Sequence, residues 1–394
     1  MDVDANDAAF ILGRGGQTKQ KISRVSGAEL DLNERENKIT IYGTRKQRKA
    51  ARDYIGYIMM QRTGEVKIDL DEERDDITVV KVPDDCVAFC MGRGGQTLRS
   101  MEQEWGSLMF FAKSAAGSND GKEMLMIFGP LRARRGAEMK VMSAVEHKRP
   151  GTFVRDGELF MQKRVRGDEV DGSWDVDWLL LEGDEFSYAL GAGGSTRKKL
   201  AAASGCILEY VGNMACFCGY KRERRRAKDY LKWLLKQRDG PVSVDYEERD
   251  DVTVVRVPQG SVGFITGHRG ESLRSIERET NTFCFINEAS RGGKEEELLI
   301  FGDSDHARRR AKHIVKDKID DHRDMGGRGG GGYGGGYGGG GRYDDRYDRR
   351  DRDYDRRDRD YDRRDRDRDR DRRDRRRSYS RSRSRSRDRR RDRY

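Results

Sequence analysis

The sequence has 394 residues, of which 39% are charged and 34% hydrophobic, and its formal net charge is +11. No apolar run approaches the length that crosses a membrane, and the acidic start MDVDANDAAF lacks the basic-then-apolar order of a signal peptide. We therefore expect no membrane segment and several small domains, each with a modest core.

The positive charge is concentrated at the C-terminal end. Residues 342–394 contain 26 arginines and 16 aspartates but no lysine or glutamate, so their net charge is +10. This leaves about +1 of the total of +11 for residues 1–341, which we expect to be nearly neutral.

The six cysteines show no spacing typical of a zinc site. Most have apolar neighbours, as in FCM, GCIL and FCFI, which favours buried, reduced thiols. We expect an intracellular, reducing compartment, no metal and no other cofactor. The cysteines are Cys86, Cys90, Cys206, Cys216, Cys218 and Cys284.

A loop of the form G-x-x-G recurs four times. Each copy is followed by a polar helix start, an apolar residue six positions after the last glycine, two strand-like runs and a basic amphipathic helix. The first loop continues with Gln17 and Thr18 where a P-loop needs Gly-Lys-Ser/Thr, which disfavours nucleotide hydrolysis. The loops lie at 13–16, 92–95, 191–194 and 267–270.

A longer duplication overlies the four repeats, which we call units one to four. Residues 72–102 align without gaps to residues 247–277, and the preceding connectors VKIDL and VSVDY also correspond. The four units therefore form two A-B pairs joined by a linker, in which units one and three are the A members and units two and four are the B members. We hypothesise that each A-B pair has a fixed domain contact; independent domains on flexible connectors are the alternative.

These repeats resemble the K-homology (KH) RNA-binding domain in its eukaryotic βααββα arrangement. The resemblance covers residues 1–320 apart from a linker near 149–173. It implies an α+β fold of four tandem type I KH domains, each with a three-stranded antiparallel sheet and three helices, followed by a disordered tail. The implied divisions are KH domain 1 at 1–62, with an incomplete first strand, KH domain 2 at 65–148, the linker at 149–173, KH domain 3 at 174–238, KH domain 4 at 240–322, a Gly/Tyr-rich disordered segment at 323–341 and an Arg/Asp- and Arg/Ser-rich disordered tail at 342–394.

In the KH family the loop clamps the backbone of about four nucleotides. Units two and four carry basic residues inside their loops, whereas unit three has GAGG and relies on charges that follow it. The residues that the resemblance assigns to RNA binding are Gly13, Arg14, Gly15, Gly16, Lys19, Lys21, Gly92, Arg93, Gly94, Gly95, Arg99, Gly191, Gly194, Arg197, Lys198, Gly267, His268, Arg269, Gly270 and Arg274.

In the KH family the bases bind in a groove with an aliphatic floor. The alternative interpretation of each floor residue in this sequence is that it belongs to the domain core. The floor positions are Ile11, Leu12, Ile22, Phe89, Met91, Leu98, Met101, Phe264, Ile265, Leu273 and Ile276.

Other residues that could have a functional role fit a structural one. Trp105 and Trp233 have helical spacing among apolar residues, which favours packing in the core. The five histidines lack a repeated acid or nucleophile partner, so we expect no enzyme and no small-molecule substrate.

The C-terminal segment cannot bury enough apolar surface to offset chain entropy, so we expect it to be disordered. Its Ser-Arg run resembles the RS segments of splicing factors. That resemblance implies nuclear residence, SR-protein kinases as modifying enzymes and other RS-domain proteins as partners. The candidate phosphorylation sites are Ser378, Ser380, Ser382, Ser384 and Ser386.

The sequence thus predicts a non-catalytic protein that binds single-stranded RNA in nuclear pre-mRNA processing, with shuttling to the cytoplasm left open. One alternative is an assembly scaffold whose KH units contact proteins and whose tail drives condensation. Single-stranded DNA is a further candidate ligand, because nothing in the sequence demands the 2′-OH.

Overall fold

Each repeat folds as a helix, a tight 3-10 turn, a second helix, two strands and a long third helix, and units two to four begin with a further strand. The structure, a computed structural model, describes residues 1–33, 38–114, 122–168 and 173–327. Unit one and its connector contain α1 (Ala5–Leu12), α2 (Gln17–Ser26), β1 (Glu29–Asn33), β2 (Lys38–Tyr42), α3 (Arg45–Thr63) and β3 (Lys67–Ile68). Unit two and the linker contain β4 (Ile77–Pro83), α4 (Asp84–Met91), α5 (Gln96–Trp105), β5 (Leu108–Ser114), β6 (Lys122–Phe128), α6 (Leu131–Lys148), β7 (Val154–Arg155) and β8 (Glu158–Leu159).

Units three and four repeat this order. Unit three contains β9 (Trp174–Leu180), α7 (Gly183–Leu190), α8 (Ser195–Ser204), β10 (Ile207–Val211), β11 (Met214–Tyr220) and α9 (Lys221–Asp239). Unit four contains β12 (Val252–Pro258), α10 (Gln259–Thr266), α11 (Glu271–Thr280), β13 (Phe283–Ile286), β14 (Glu295–Phe301) and α12 (Asp305–Gly327). The α+β fold predicted from the repeats is confirmed.

The three strands of each of units two to four pair antiparallel, with the third strand of the unit in the middle, and in unit two β3 of the connector adds a fourth strand parallel to β5. The strand orders are β4-β6-β5, β9-β11-β10 and β12-β14-β13. Among its described residues, unit one has the strands β1 and β2 and, in place of a first strand, a single bridge between Asp2 and Lys38.

Local sequence sets where the helices begin and end. Thr44 and Gln47 form a reciprocal capping box at the start of α3. The second helix of units one to three ends at a glycine in the left-handed region, and Asn281 takes that position in unit four.

The last helix of unit one also covers the outer face of the sheet in unit two. On β6, Met124, Met126 and Phe128 belong to the core that includes α3, whereas Leu125 and Ile127 face the core of unit two itself. The rings of Tyr54 on α3 and Phe128 lie 5.3 Å apart. The sheet of unit two is therefore covered on both faces.

The next two junctions follow the same rule. Helix α6 shares a core with Ile207, Val211 and Met214 on the outer face of the sheet in unit three. Helix α9 places Trp233 4.8 Å from the ring of Phe301 in unit four. The predicted contact within each A-B pair exists, but the junction between units two and three is built in the same way, so the four units form one continuous array.

The duplicated stretch EERDD is explained by the two A-B junctions. Arg74 bridges Asp53 on α3, at 3.0 Å, and Asp76 at the start of β4, at 2.8 Å. In the second pair, Arg249 bridges Asp229 at 2.8 Å and Asp251 at 2.7 Å. These carboxylates tie each pair together through buried or half-buried ion pairs.

The segment predicted as a linker packs against unit two over residues 149–168. Phe153 and Leu159 are buried in the core of unit two, and the side-chain amide of Gln162 exchanges two hydrogen bonds with the backbone of Lys81. Asp168 is buried between Arg134 and Arg135, with 3.0 Å to the Arg135 guanidinium. Residues 149–168 are therefore a part of the folded array and not a spacer, since Phe153, Leu159, Gln162 and Asp168 all have partners in unit two.

Helix α12 continues to Gly327, five residues into the segment predicted to be disordered from residue 323. Just before this extension α12 is held on unit four, because His322 lies 3.0 Å from the Ser261 hydroxyl and packs against Phe264. Residues 328–394, with the rest of the predicted disorder and all five candidate serines, lie outside the described residues.

The cysteines and tryptophans behave as predicted. All six thiols are free and buried, and burial raises the pKa of Cys90 to about 11 and the pKa values of Cys216 and Cys218 to about 12. Trp105 packs on Gly136 of α6, and Trp233 packs on Phe301. Within the ranges that the structure describes, no helix is both long and apolar enough to span a bilayer.

Candidate nucleic-acid interface

The four G-x-x-G loops have nearly the same backbone. The first glycine has φ between 67° and 71°, and the third position has φ between 50° and 62°. The last glycine caps the second helix in the left-handed region, with φ between 75° and 79°. In each loop the N–H of the last glycine donates to the carbonyl of the first glycine at 3.1 Å, and the second helix begins directly after this turn. The positive end of each second helix therefore lies at its loop, a geometry that suits a phosphate.

The first and third loop positions differ in the space that they leave for a side chain. A Cβ on Gly92 would lie 2.0 Å from the Thr97 hydroxyl, and Gly13 and Gly191 face the corresponding threonines at 2.2 Å. A Cβ on Gly94 would meet nothing within 4 Å. Unit four uses that space, because its third position is Arg269 at φ 50°.

Basic side chains surround the loops of units two and four. Arg93, His268 and Arg269 are exposed within the loops. Arg99 donates to the carbonyl of Gly94 at 2.6 Å, and Arg274 donates to the carbonyl of Arg269 at 2.7 Å. In units two and four, an exposed arginine on the following helix therefore donates a hydrogen bond to the loop backbone.

The loops of units one and three carry less charge. Arg14 is exposed in the loop of unit one and Lys19 is half-buried on α2, whereas the loop of unit three has Ala192 in place of a cation. Lys198 is exposed on α8 and lines the groove of unit three. These residues stay in the candidate set as proposals.

The structure removes Arg197 from the candidate set. Arg197 is only 6% exposed, and its guanidinium donates to the Glu209 carboxylate at 2.7 Å and to the Leu208 carbonyl at 3.0 Å. Burial raises the pKa of Glu209, and the nearby Arg197 charge limits that rise. Arg197 therefore holds α8 against β10 instead of facing an external phosphate.

Lys21 is corrected for a related reason. Its ammonium donates to the Glu102 carboxylate of unit two at 2.8 Å. In the second pair, Lys199 of unit three makes the same contact with Glu277 of unit four at 2.9 Å. These lysines connect the two members of each pair, and their charge is largely balanced there.

Most of the predicted groove floor is core. Ile11, Ile22, Ile265 and Ile276 are buried, and Met101 is 5% exposed. Leu98 and Leu273 are also buried, at the edge of their cores. Phe89, Met91 and Phe264 remain exposed, so only part of the predicted floor is open to a ligand.

A groove of about 550 Å³ lies between the third and fourth units. Unit four contributes Gly270, Leu273, Arg274 and residues of β13. Unit three contributes Tyr188, Thr196 and Lys199 to the opposite wall, and residues 240–242 of the connector complete it. The groove beside the fourth loop is therefore a surface that two units build together.

The sequence analysis missed one repeated feature. An exposed aromatic side chain lies three residues before the first glycine of every loop, with 38–42% of its surface accessible. The fixed offset is visible in the sequence, but two of the four positions were not singled out. The four residues are Phe10, Phe89, Tyr188 and Phe264.

Comparison with known proteins agrees with the fold and the loops. The sequence model of the KH domain family matches residues 1–56 and 252–317, which include the first and last loops. Residues 1–56 and 252–317 of this chain are therefore KH domains. Its second and third units have the same element order and loop geometry as the two matched KH units.

Far upstream element-binding proteins are among the similar proteins. Far upstream element-binding protein 1 of Homo sapiens is 24% identical over 214 residues, which cover 50% of this KH chain and 31% of that protein. Far upstream element-binding protein 2 of Homo sapiens is 20% identical over 350 residues, which cover 79% of this chain and 48% of that protein. The matches thus span less than half the length of either relative.

One solved structure in the comparison is Dim2p from Pyrococcus horikoshii OT3. It is 15% identical, and the alignment covers 40% of this KH chain and 90% of that chain with a TM-score of 0.22.

Proposed function

We propose that the protein is a non-catalytic, single-stranded nucleic-acid-binding protein whose ligand is RNA. The observation that carries this proposal is the set of four loops with nearly the same backbone, each with an exposed third position and each leading directly into the start of a helix. KH domains clamp single strands with such a loop. The similar proteins are named for binding a far upstream element, which agrees with a nucleic-acid ligand.

We assign most of the contacts with the RNA backbone to units two and four. Their loops carry Arg93, His268 and Arg269, and the supporting Arg99 and Arg274 add charge beside them. Unit three has no basic residue inside its loop, and its Arg197 forms an ion pair with Glu209. Four weak sites on one chain raise avidity by about 10²–10⁴ when one RNA reaches several of them.

We further propose nuclear pre-mRNA processing as the setting. The support is the sequence of the tail alone, whose Ser-Arg run resembles RS segments of splicing factors. SR-protein kinases and other RS-domain proteins are the partners that this resemblance implies. Gly-Arg-Tyr composition suits loose contact with single strands through charge and stacking.

The loops can be tested in the full chain with single Asp substitutions. Gly94→Asp places a carboxylate where phosphate would lie, at a position where a Cβ meets nothing within 4 Å. We expect about tenfold weaker binding of a labelled single-stranded RNA, measured by fluorescence anisotropy at fixed salt. Gly260→Asp adds the same charge at the opposite end of α10, away from the loop, and serves as the control. Equal affinity of the two variants would remove unit two from the proposal.

The same measurement separates the alternatives. Equal affinity for RNA and DNA of one sequence would make the protein a general single-strand binder, since the 2′-OH is what distinguishes the two. If Asp substitutions in all four loops left RNA binding unchanged, the units would instead serve as a protein scaffold with binding confined to the tail.

A further inference from the structure

We propose that each A-B pair forms one composite site, in which the exposed aromatic of the odd unit stacks on a base of the strand held by the loop of the even unit. This inference rests on the proposed nucleic-acid binding and adds a residue for which the loop motif gives no indication. The residues are Tyr188 for the loop of unit four and Phe10 for the loop of unit two.

The position of Tyr188 carries the proposal. Tyr188 belongs to α7 of unit three and is 40% exposed, yet it lines the groove that contains Gly270, Leu273 and Arg274 of unit four. Phe264, the corresponding aromatic of unit four itself, is absent from that lining and packs instead against His322 of α12, with ring centroids 5.1 Å apart. The groove of unit four therefore takes its aromatic wall from its neighbour.

The two sides of this groove are joined by contacts between unit three, the connector and unit four. Lys199, which lies on α8 behind the loop of unit three, donates to the buried Glu277 of unit four at 2.9 Å and lies 5.1 Å from the ring centroid of Phe283. The connector holds the far side, because the Glu288 N–H donates to the Val242 carbonyl at 3.1 Å. A stacking partner that is already positioned loses little conformational freedom when a base binds.

The first pair repeats the contacts that join the two units. Phe10 occupies the position of Tyr188 relative to its loop and is 41% exposed. The Lys21–Glu102 contact of 2.8 Å reproduces the Lys199–Glu277 contact. The hydrogen bond of the connector also recurs, because the Lys113 N–H donates to the Val66 carbonyl at 2.9 Å.

The chemistry of such a site is complementary. The loop and its arginines contact the sugar-phosphate backbone, and an aromatic face accepts any base, because every base presents a π-surface. An odd unit whose own loop is weakly charged, as in unit three, still contributes to binding by supplying this wall. In this composite site Lys199 and Lys21 join the two units through their ion pairs and do not contact phosphate.

The test is photo-crosslinking of the full chain to a 4-thiouridine-containing single-stranded RNA, with adducts mapped by mass spectrometry. We expect adducts at Tyr188 that disappear with Arg269→Asp in the loop of unit four and persist with Gly193→Asp in the loop of unit three. Arg309→Asp makes the same charge change on exposed α12 and is the control. Loss of the Tyr188 adduct with Gly193→Asp but not with Arg269→Asp would overturn the inference.

Affinity gives a second readout. Tyr188→Ala is expected to weaken RNA binding about fivefold or more, as for the loss of one stacked base, whereas Tyr188→Phe retains it. Tyr42→Ala, which removes an exposed aromatic side chain on β2 of unit one, is the control and is expected to have no such effect. If RNA binding depends on the loops but Tyr188→Ala binds like the wild type, the composite site fails and the proposed function stands. If the loop variants themselves have no effect, the proposed function fails as well.

Discussion

The ammonium of Lys199 in unit three donates to the carboxylate of Glu277 in unit four across 2.9 Å, and Glu277 also accepts the Cys284 N–H at 2.9 Å. The Glu277 side chain is 3% exposed, so the lysine is the cation that compensates a nearly buried charge. Burial raises the pKa of Glu277, while Lys199 limits the rise. One ion pair therefore fixes the geometry of two units and the start of a strand beside the groove.

Replacing Lys199 should destabilise the junction of the second pair. We expect Lys199→Met to reduce the free energy of unfolding by about 2–3 kcal/mol, less than for a fully buried pair because the lysine keeps some contact with water. The loss should be largest at neutral pH and shrink as the pH falls toward the ordinary glutamate pKa, because the raised pKa lets Glu277 become neutral in the folded state. Hydrogen exchange of residues 283–286 measures this loss of stability at the junction. Lys198→Met, an exposed neighbour, is the control, and equal protection in both variants would contradict the role of Lys199.

The first pair should show acid sensitivity through Asp76. Burial alone would raise the pKa of Asp76, but the hydrogen bonds and charge of Arg74 outweigh it, and the pKa is lowered. The resulting stability is present above the ordinary aspartate pKa and is lost as the pH falls below about 5. We expect Asp76→Asn to flatten this part of the pH dependence of unfolding, while the exposed neighbour Asp75→Asn leaves it unchanged. A wild-type slope in Asp76→Asn would mean that the ion pair is not the source.

Two glycines of one loop should differ in their tolerance of a methyl group. Gly92→Ala brings a Cβ within 2.0 Å of the Thr97 hydroxyl at φ 69°, so we expect a loss of about 3 kcal/mol in stability. Gly94→Ala adds its Cβ to open space at φ 57° and should cost about 1 kcal/mol for the left-handed backbone alone. Thermal unfolding of both variants checks the order, and an equal loss would mean that the Gly92–Thr97 contact relaxes freely.

The tail should supply charge without sequence preference. Deleting residues 328–394 removes the +10 of residues 342–394 and starts after the last residue of α12. We expect a shallower slope of log affinity against log salt and an unchanged ranking of RNA sequences. Competition binding at several salt concentrations measures both, and a changed ranking would assign recognition to the tail.

Phosphorylation should reverse the charge effect of the tail. Five phosphates at Ser378, Ser380, Ser382, Ser384 and Ser386 would add roughly −8 to −10, which nearly cancels +10. We expect kinase-treated protein to release nonspecific RNA at fixed salt and to form Arg-phosphate pairs within the tail. Equal binding before and after treatment, with the phosphate confirmed by mass, would show that these serines act only as spacers.

The sequence alone determined the four repeats, the order of their elements and the loops, because these depend on local signals. Periodicity distinguishes helix from strand, and only glycine suits the backbone of the first loop position. A further signal was present in the strands. β11 begins with five consecutive apolar residues, as is typical of strands buried on both faces, whereas β1 alternates between polar and apolar residues.

The tertiary structure decided which charges are available and which surfaces meet. Arg197 and Lys198 are adjacent basic residues on one helix, yet one is paired with Glu209 and the other is exposed. Lys199 and Glu277 are separated by 78 residues, and Tyr188 lines the groove of a unit other than its own. These relationships depend on how one unit packs against the next, and no local pattern specifies the angle at which two preformed surfaces meet.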